Sequence, residues 1–240
     1  MMPTYGVRLL NRKEIAYETM AFEFERPNGF DFRAGQFLEL FIKGEVYNGQ
    51  GKSKEFSIAS APEEQNLMIA MRMRGSGFKN FLRSVPLGTN LKIKGPYGSL
   101  ALPAEAKKPI VFLAGGIGIT LFRSMVKQAT YENPSHKISL FYSNRRPEDA
   151  PFLNELNDLR LTTNNFKFIP TMTKLNESKS KWTGERGYIN MEMLKRHIDS
   201  PTQALYYIAG PPAFTAAMWQ VVKLVGVNED SVRTEEFAGY

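Results

Sequence analysis

Three stretches carry residues whose types and spacing could do chemistry. The first is Lys54-Glu55-Phe56-Ser57-Ile58-Ala59-Ser60-Ala61-Pro62, approached through Gly51-Lys52-Ser53. Read as a strand, its period of two sends Lys54, Phe56 and Ile58 to one face and Glu55, Ser57 and Ala59 to the other. A cation and a ring on one face suit a planar, partly anionic cofactor. The ring offers a packing surface, the ammonium a phosphate contact, and the Ser57 hydroxyl a bond to a polar edge. The same residues also fit an ordinary core strand ending in a proline turn.

The second stretch, Arg72-Met73-Arg74-Gly75-Ser76-Gly77-Phe78-Lys79, brings two glycines, a hydroxyl and three cations to the start of an expected helix. It suits a phosphate cradle, and equally a Gly-Ser turn before a basic surface helix. The third is the apolar run Pro109 to Ala114, followed by Gly115-Gly116-Ile117-Gly118-Ile119-Thr120 and a helical pattern from Leu121 to Thr130. Glycines let a backbone turn tightly against a ligand, and a helix N-terminus offers free N–H groups and a positive dipole to a pyrophosphate. The spacing is not the full Gly-x-Gly-x-x-Gly fingerprint, so a dinucleotide loop and a plain strand-to-helix turn both fit.

Two further groups fall where a parallel sheet presents ligand contacts, beyond the carboxyl ends of strands. Ser143, Asn144, Arg145 and Arg146 follow one apolar run, and Gly210, Pro211 and Pro212 follow another. The chain ends Thr234-Glu235-Glu236-Phe237-Ala238-Gly239-Tyr240, and its last ring could either fray or stack on a flat ring system as a movable lid.

Composition removes several classes. With no Cys among 240 residues there is no disulfide, no thiolate nucleophile and no Cys-held zinc or iron–sulfur cluster. His136 and His197 are the only histidines, so a multi-His metal site is not expected. The net charge of +7 is spread over several clusters, and aromatic residues are not interleaved with them as a single-strand nucleic-acid platform needs. Local anion sites account for the clusters. No apolar run reaches the ~18 residues of a membrane helix, and the first residues lack a signal-peptide pattern, so the expected compartment is the cytoplasm.

The elements that must position these residues fall into two sets. Expected strands at Tyr5 to Leu10, Ile15 to Glu25, Gln36 to Ile42, Glu55 to Ala59, Leu67 to Met73 and Asn90 to Lys94, with a helix from Phe78 to Ser84, predict a six-stranded antiparallel barrel. Breaks fall at Pro27-Asn28-Gly29, Asn48-Gly49 and Pro62-Glu63. After a linker at Ala101 to Pro109, apolar strands at 110 to 114, 138 to 142, 166 to 170 and 204 to 209 alternate with helices at 150 to 161, 191 to 197 and 212 to 225. That alternation predicts a Rossmann-like parallel α/β domain. The expected domains are 1–103 and 104–240.

Taken together, the ordered motifs resemble the ferredoxin–NADP reductase superfamily over nearly the whole chain. Lys54-x-Phe56-Ser57-x-x-Ser60 is similar to its flavin motif, Arg-x-Tyr-Ser-x-x-Ser, and Phe30-Asp31-Phe32-Arg33-Ala34-Gly35-Gln36 to its Phe-x-Pro-Gly-Gln entry. Gly115 to Thr120 resembles its nicotinamide-dinucleotide loop, Tyr207 to Pro212 its nicotinamide-side turn, and Tyr240 its terminal aromatic. Lys54 stands for Arg, Phe56 for Tyr, Ala209 for a usual Cys and Leu121 for a frequent Pro. Lysine keeps the charge but loses the bidentate fork, which shifts phosphate binding toward Lys79.

The resemblance implies a flavin-dependent NAD(P)H oxidoreductase. FAD, rather than FMN, would lie on Lys54, Phe56, Ser57, Ile58, Arg72, Gly75, Ser76, Gly77, Phe78 and Lys79. NAD(P)H would lie on Gly115, Gly116, Ile117, Gly118, Ile119, Thr120, Ser143, Asn144, Arg145, Gly210, Pro211 and Pro212. Ser57, Glu236 (or Glu235) and Tyr240 would flank the reacting rings, with no metal. A separate acceptor such as ferredoxin or flavodoxin is implied; a stand-alone flavin or ferric reductase and a non-catalytic flavin-binding subunit are the alternatives. Arg145, Lys174 and Lys179 could each reach a 2′-phosphate, which leaves NADH and NADPH on equal terms.

Overall fold

The computed structural model describes residues 3–42, 53–104, 108–132 and 136–237. Tyr240, together with Gly51 and Lys52 of the approach to the first motif, Asn48-Gly49 and part of the expected linker, lies outside them.

The first half forms a six-stranded antiparallel sheet, β1 (Thr4–Ala16), β2 (Thr19–Phe24), β3 (Phe37–Phe41), β4 (Ser53–Ser57), β5 (Leu67–Arg72) and β6 (Asn90–Tyr97), in the order β4-β3-β6-β1-β2-β5. Alternate residues such as Val7 and Leu9, or Leu38 and Leu40, turn into one core with Phe22, Phe24, Phe56 and Ile93. The sheet curls until its ends meet just past β4, where Ala59 N donates to Met68 O at 2.7 Å. Helix α1 (Gly77–Ser84) plugs the barrel with Phe78 and Leu82. The strand expected over Ile15 to Glu25 is instead split. Glu18 takes a left-handed φ of 49°, so β1 runs on to Ala16 and reverses into β2 at Thr19.

The second half is a six-stranded parallel sheet ordered β10-β9-β8-β7-β11-β12. Its strands are β7 (Ile110–Gly115), β8 (Ile138–Asn144), β9 (Phe166–Met172), β10 (Glu185–Arg186), β11 (Leu205–Gly210) and β12 (Val232–Glu236). Helices α2 (Ile119–Glu132), α3 (Leu153–Thr162), α4 (Met191–His197) and α5 (Pro212–Val225) cover both faces, which is why β7 is apolar at every position. The two edge strands extend the four expected ones. Neither carries an apolar run, because an edge strand is only partly covered. Helix α3 begins at Leu153 rather than Ala150, after a single 3-10 turn at Pro147–Asp149 and a left-handed Phe152.

The two halves share a core. Ala21, Ala34, Ala59 and Ala70 of the barrel join the cluster containing Phe112, Phe122, Met125 and Tyr142. Small side chains there let α2 lie close against the barrel. Polar contacts reinforce the junction. Arg123 Nη1 donates to Ala59 O at 2.6 Å, Ser124 Oγ to Ser60 O at 2.6 Å, and Tyr17 N to Glu148 O at 2.7 Å. Among the described residues, no helix is long and apolar enough to cross a membrane, and no group of His, Asp and Glu could hold a metal ion.

Candidate functional site

A cavity of about 740 Å³ opens where β4, α1 and β12 converge, lined by residues that include Lys54, Phe56, Ser57, Lys79, Glu235 and Phe237. Strand β4 ends at Ser57, whose side chain is buried and whose Oγ has no hydrogen-bond partner. Strand β12 runs parallel to β11 and sets Glu235 beside Ala209, bringing its carboxyl close to the Ser57 hydroxyl. Burial pushes the Glu235 carboxyl up to about 7, against a smaller lowering by Ser57. Glu236 also lines the cavity, but its Oε1 accepts from Thr215 Oγ1 at 2.8 Å, so the carboxyl facing Ser57 is that of Glu235.

The cation side of the cavity is built by α1. Lys79 is 5% exposed, and burial and then the charges of Lys54 and Arg74 lower its ammonium to about 8. A diphosphate would offset the mutual repulsion of these three cations. Ser76 caps α1 without a side-chain bond, and its buried Oγ has no partner. Phe56 packs against Phe78 at 5.9 Å within the barrel core, and Ile58 is wholly buried there, outside the cavity lining. Orphaned hydroxyls at Ser57 and Ser76 beside a crowded cation cluster fit a large polar cofactor with a diphosphate and a heteroaromatic ring.

The glycine loop lies on the other side of the junction. Gly116 takes φ +54° and starts a 3-10 turn that leads into α2, where Thr120 Oγ1 donates to Ile117 O at 3.0 Å. A Cβ on Gly118 would stand 2.3 Å from Ala209 O, and Cβ atoms on Gly115 and Gly210 would meet the Phe214 ring at 2.6 and 2.7 Å. These glycines let β7, β11 and Phe214 close together. Ile117 and Ile119 are buried in the core, and Pro211 and Pro212 begin α5. Arg72 is set apart from the cradle of Gly75 to Lys79. Its Nη2 donates to Asp149 O at 2.8 Å and flanks Gly116.

At the end of β8, the Asn144 amide is buried beside the Tyr142 phenol, Ser143 is half-buried and Arg145 is exposed. Lys174 Nζ pairs with Glu177 Oε1 at 2.7 Å, and Arg146 with Asp149 at 2.7 Å. Sequence reasoning missed Phe214 and Glu177. The offset of Phe214 from Gly210-Pro211 was a usable signal, whereas Glu177 is placed only by a loop.

The barrel matches a family model described as an oxidoreductase FAD-binding domain over residues 6–102, and the parallel domain an oxidoreductase NAD-binding domain over 112–220. The chain belongs to the ferredoxin–NADP reductase family. As such it is a flavin-dependent NAD(P)H oxidoreductase with FAD as its cofactor. This reductase is 29% identical over 229 residues to NADH-cytochrome b5 reductase 1 of Dictyostelium discoideum, covering 92% of this chain and 77% of that one. It is 25% identical over 222 residues to the glycine betaine monooxygenase reductase subunit of Chromohalobacter salexigens, covering 91% and 60%. Among solved structures, a ferredoxin NADP+ reductase from Neisseria gonorrhoeae with bound FAD and NADP shares the fold at a TM-score of 0.79 and 21% identity, covering 97% and 98%.

Proposed function

We propose that the reductase draws electrons from NADH and delivers them to a separate, acidic redox protein, using a flavin-binding domain of residues 1–103 and a nucleotide domain of residues 104–240. The observation that carries this reading is the buried Ser57 hydroxyl facing the Glu235 carboxyl at the junction of the two domains. Lys79, Lys54 and Arg74 would hold the diphosphate of FAD, and Ser76 would bond to it. Bound FAD supplies two-electron acceptance from nicotinamide and release to an acceptor. Ser57 would hydrogen-bond at the reacting edge, while Glu235, near neutrality at about 7, holds or releases a proton there. The glycine loop and Asn144 would orient the dinucleotide.

NADH is favoured over NADPH because two of the cations near the β8 rim are already paired with carboxylates, leaving Arg145 as the exposed cation beside them. Lys174 is paired with Glu177 and Arg146 with Asp149, so a 2′-phosphate near Lys174 would meet the Glu177 carboxylate. The acceptor reading is supported by the basic balance of +7 and by relatives named for cytochrome b5 or for monooxygenases. The test is steady-state turnover of the FAD-loaded chain with each nucleotide and with a cytochrome b5, a ferredoxin, free flavin and ferricyanide. The expected result is higher kcat/KM for NADH and a protein acceptor whose rate falls with salt. Reduction of free flavin alone would assign a stand-alone flavin reductase, and no turnover with ferricyanide a docking subunit.

A further inference from the structure

A second cavity of about 870 Å³ lies along the far edge of the parallel sheet. Its floor is β9. Strand β10 pairs only with Thr171 and Met172, so the preceding stretch from Phe166 to Pro170 has no strand on its outer side among the described residues. In a parallel pair, alternate residues direct their main-chain groups to opposite neighbours. Asn165 O accepts from Ile138 N on the β8 side, and Met172 O accepts from Gly187 N on the outer side. By that alternation Phe166 and Phe168 turn their N–H and C=O groups outward. Pro170 has no N–H to offer, as suits an edge. Gly184 approaches its carbonyl, and the Trp182 ring folds over Gly184, held by Nε1 donating to Glu185 O at 2.8 Å. The groove is therefore capped at one end and open along Phe166 and Phe168.

Its charge is mainly positive. Arg160, Lys167 and Lys181 line it, and none of the three is held in an ion pair among the described residues. The one lining carboxylate, Glu185, is occupied by Arg196 at 2.9 Å and His197 at 2.7 Å. A lysine on an open edge opposes pairing with a second copy of the same strand, because like charges would be brought together. The same charge favours an acidic strand.

We propose that this groove binds an extended acidic segment of a partner protein, which adds a strand to the open edge of β9 and sets its carboxylates against Arg160, Lys167 and Lys181. Five residues of edge span roughly 16 Å at the usual rise, enough to register a short segment. In the sheet order, β9 is four strands from β12, which lines the cavity holding Ser57 and Glu235. At the usual strand spacing that is roughly 19 Å. A partner held here leaves the flavin site uncovered, so the contact is a tether and not the electron-exit surface.

The probe is a fluorescein-labelled heptapeptide alternating valine and glutamate, titrated by anisotropy against the FAD-loaded chain with and without NAD+. Saturable binding that weakens with salt is expected, at least ten-fold tighter than for the valine–lysine counterpart. R160E/K167E/K181E should weaken it at least ten-fold. A probe N-methylated on alternate residues keeps its charge but cannot pair, and on the unaltered chain it should lose binding by a similar factor. Equal binding of the methylated probe, or of the lysine probe, overturns the proposal, as does absence of binding. Displacement by NAD+ would put the probe in the nucleotide site. A dimer dissolved by the triple reversal would assign the edge to a second copy. Either result also overturns it.

Discussion

Replacing Arg123 with methionine removes the guanidinium that ties the barrel to the nucleotide domain. Arg123 side-chain exposure is 4%, and it bonds Glu64 at 2.8 and 3.0 Å, Glu155 at 2.7 and 2.9 Å, and Ala59 O. Truncating one partner of such a buried group costs about 3–5 kcal/mol. Lys127 still reaches both carboxylates at 2.8 and 3.3 Å, which puts the expected loss near the lower end, about 3 kcal/mol at pH 7. For a chain of this size that is a fall in Tm of roughly 6–12 °C. The pH dependence follows from Glu64. Burial raises its pKa, but Arg123, Lys127 and the Ala61 N–H outweigh burial and hold it at about 2, below 4.5. Its contribution is complete above pH 4.5 and is lost as the pH falls toward 2. After allowance for its partial exposure, the gap between the unaltered chain and Arg123→Met should shrink by about 1–2 kcal/mol at pH 3. Urea unfolding of the FAD-loaded chain at both pH values measures it. A gap below about 1 kcal/mol at pH 7, or one unchanged at pH 3, would refute the reasoning.

Three further substitutions separate the parts of the site. Glu235 has its pKa raised on folding, so it opposes folding as the pH rises from 4.5 through about 7. Glu235→Gln should gain roughly 1–2 kcal/mol over the unaltered chain at pH 8 and nothing at pH 4, and should remove a step near pH 7 from the kcat profile. Lys79→Met should weaken FAD binding about ten- to hundred-fold, measured by equilibrium dialysis, through loss of one charge-assisted contact. An unchanged Kd would move the diphosphate elsewhere. Glu177→Gln frees Lys174 and should raise kcat/KM for NADPH relative to NADH several-fold; an unchanged ratio would discard the role given to the Lys174–Glu177 pair.

Both sheets were legible because their strands obey simple patterns: alternation in β1 and β3, an unbroken apolar run in β7 and a mostly apolar one in β8. The turn at Glu18 was not, because a glutamate in the left-handed region leaves no compositional mark. Strands β10 and β12 escaped because two residues, or a sequence as polar as Val232 to Glu236, carry no period. At the site, Ser57 and Lys79 were visible from their motifs. That Glu235 and not Glu236 meets Ser57 depends on the β11–β12 register, which brings Glu235 opposite Ala209. Arg72 was grouped with its sequence neighbours, yet it reaches across to Asp149, a contact 77 residues away that no local pattern encodes.

Anaerobic rapid mixing of the FAD-loaded chain with NADH, followed by flavin absorbance, tests the central claim most directly. Bleaching of the flavin band within a single turnover is expected, slower with NADPH. An oxidised flavin spectrum that persists with both nucleotides would contradict it.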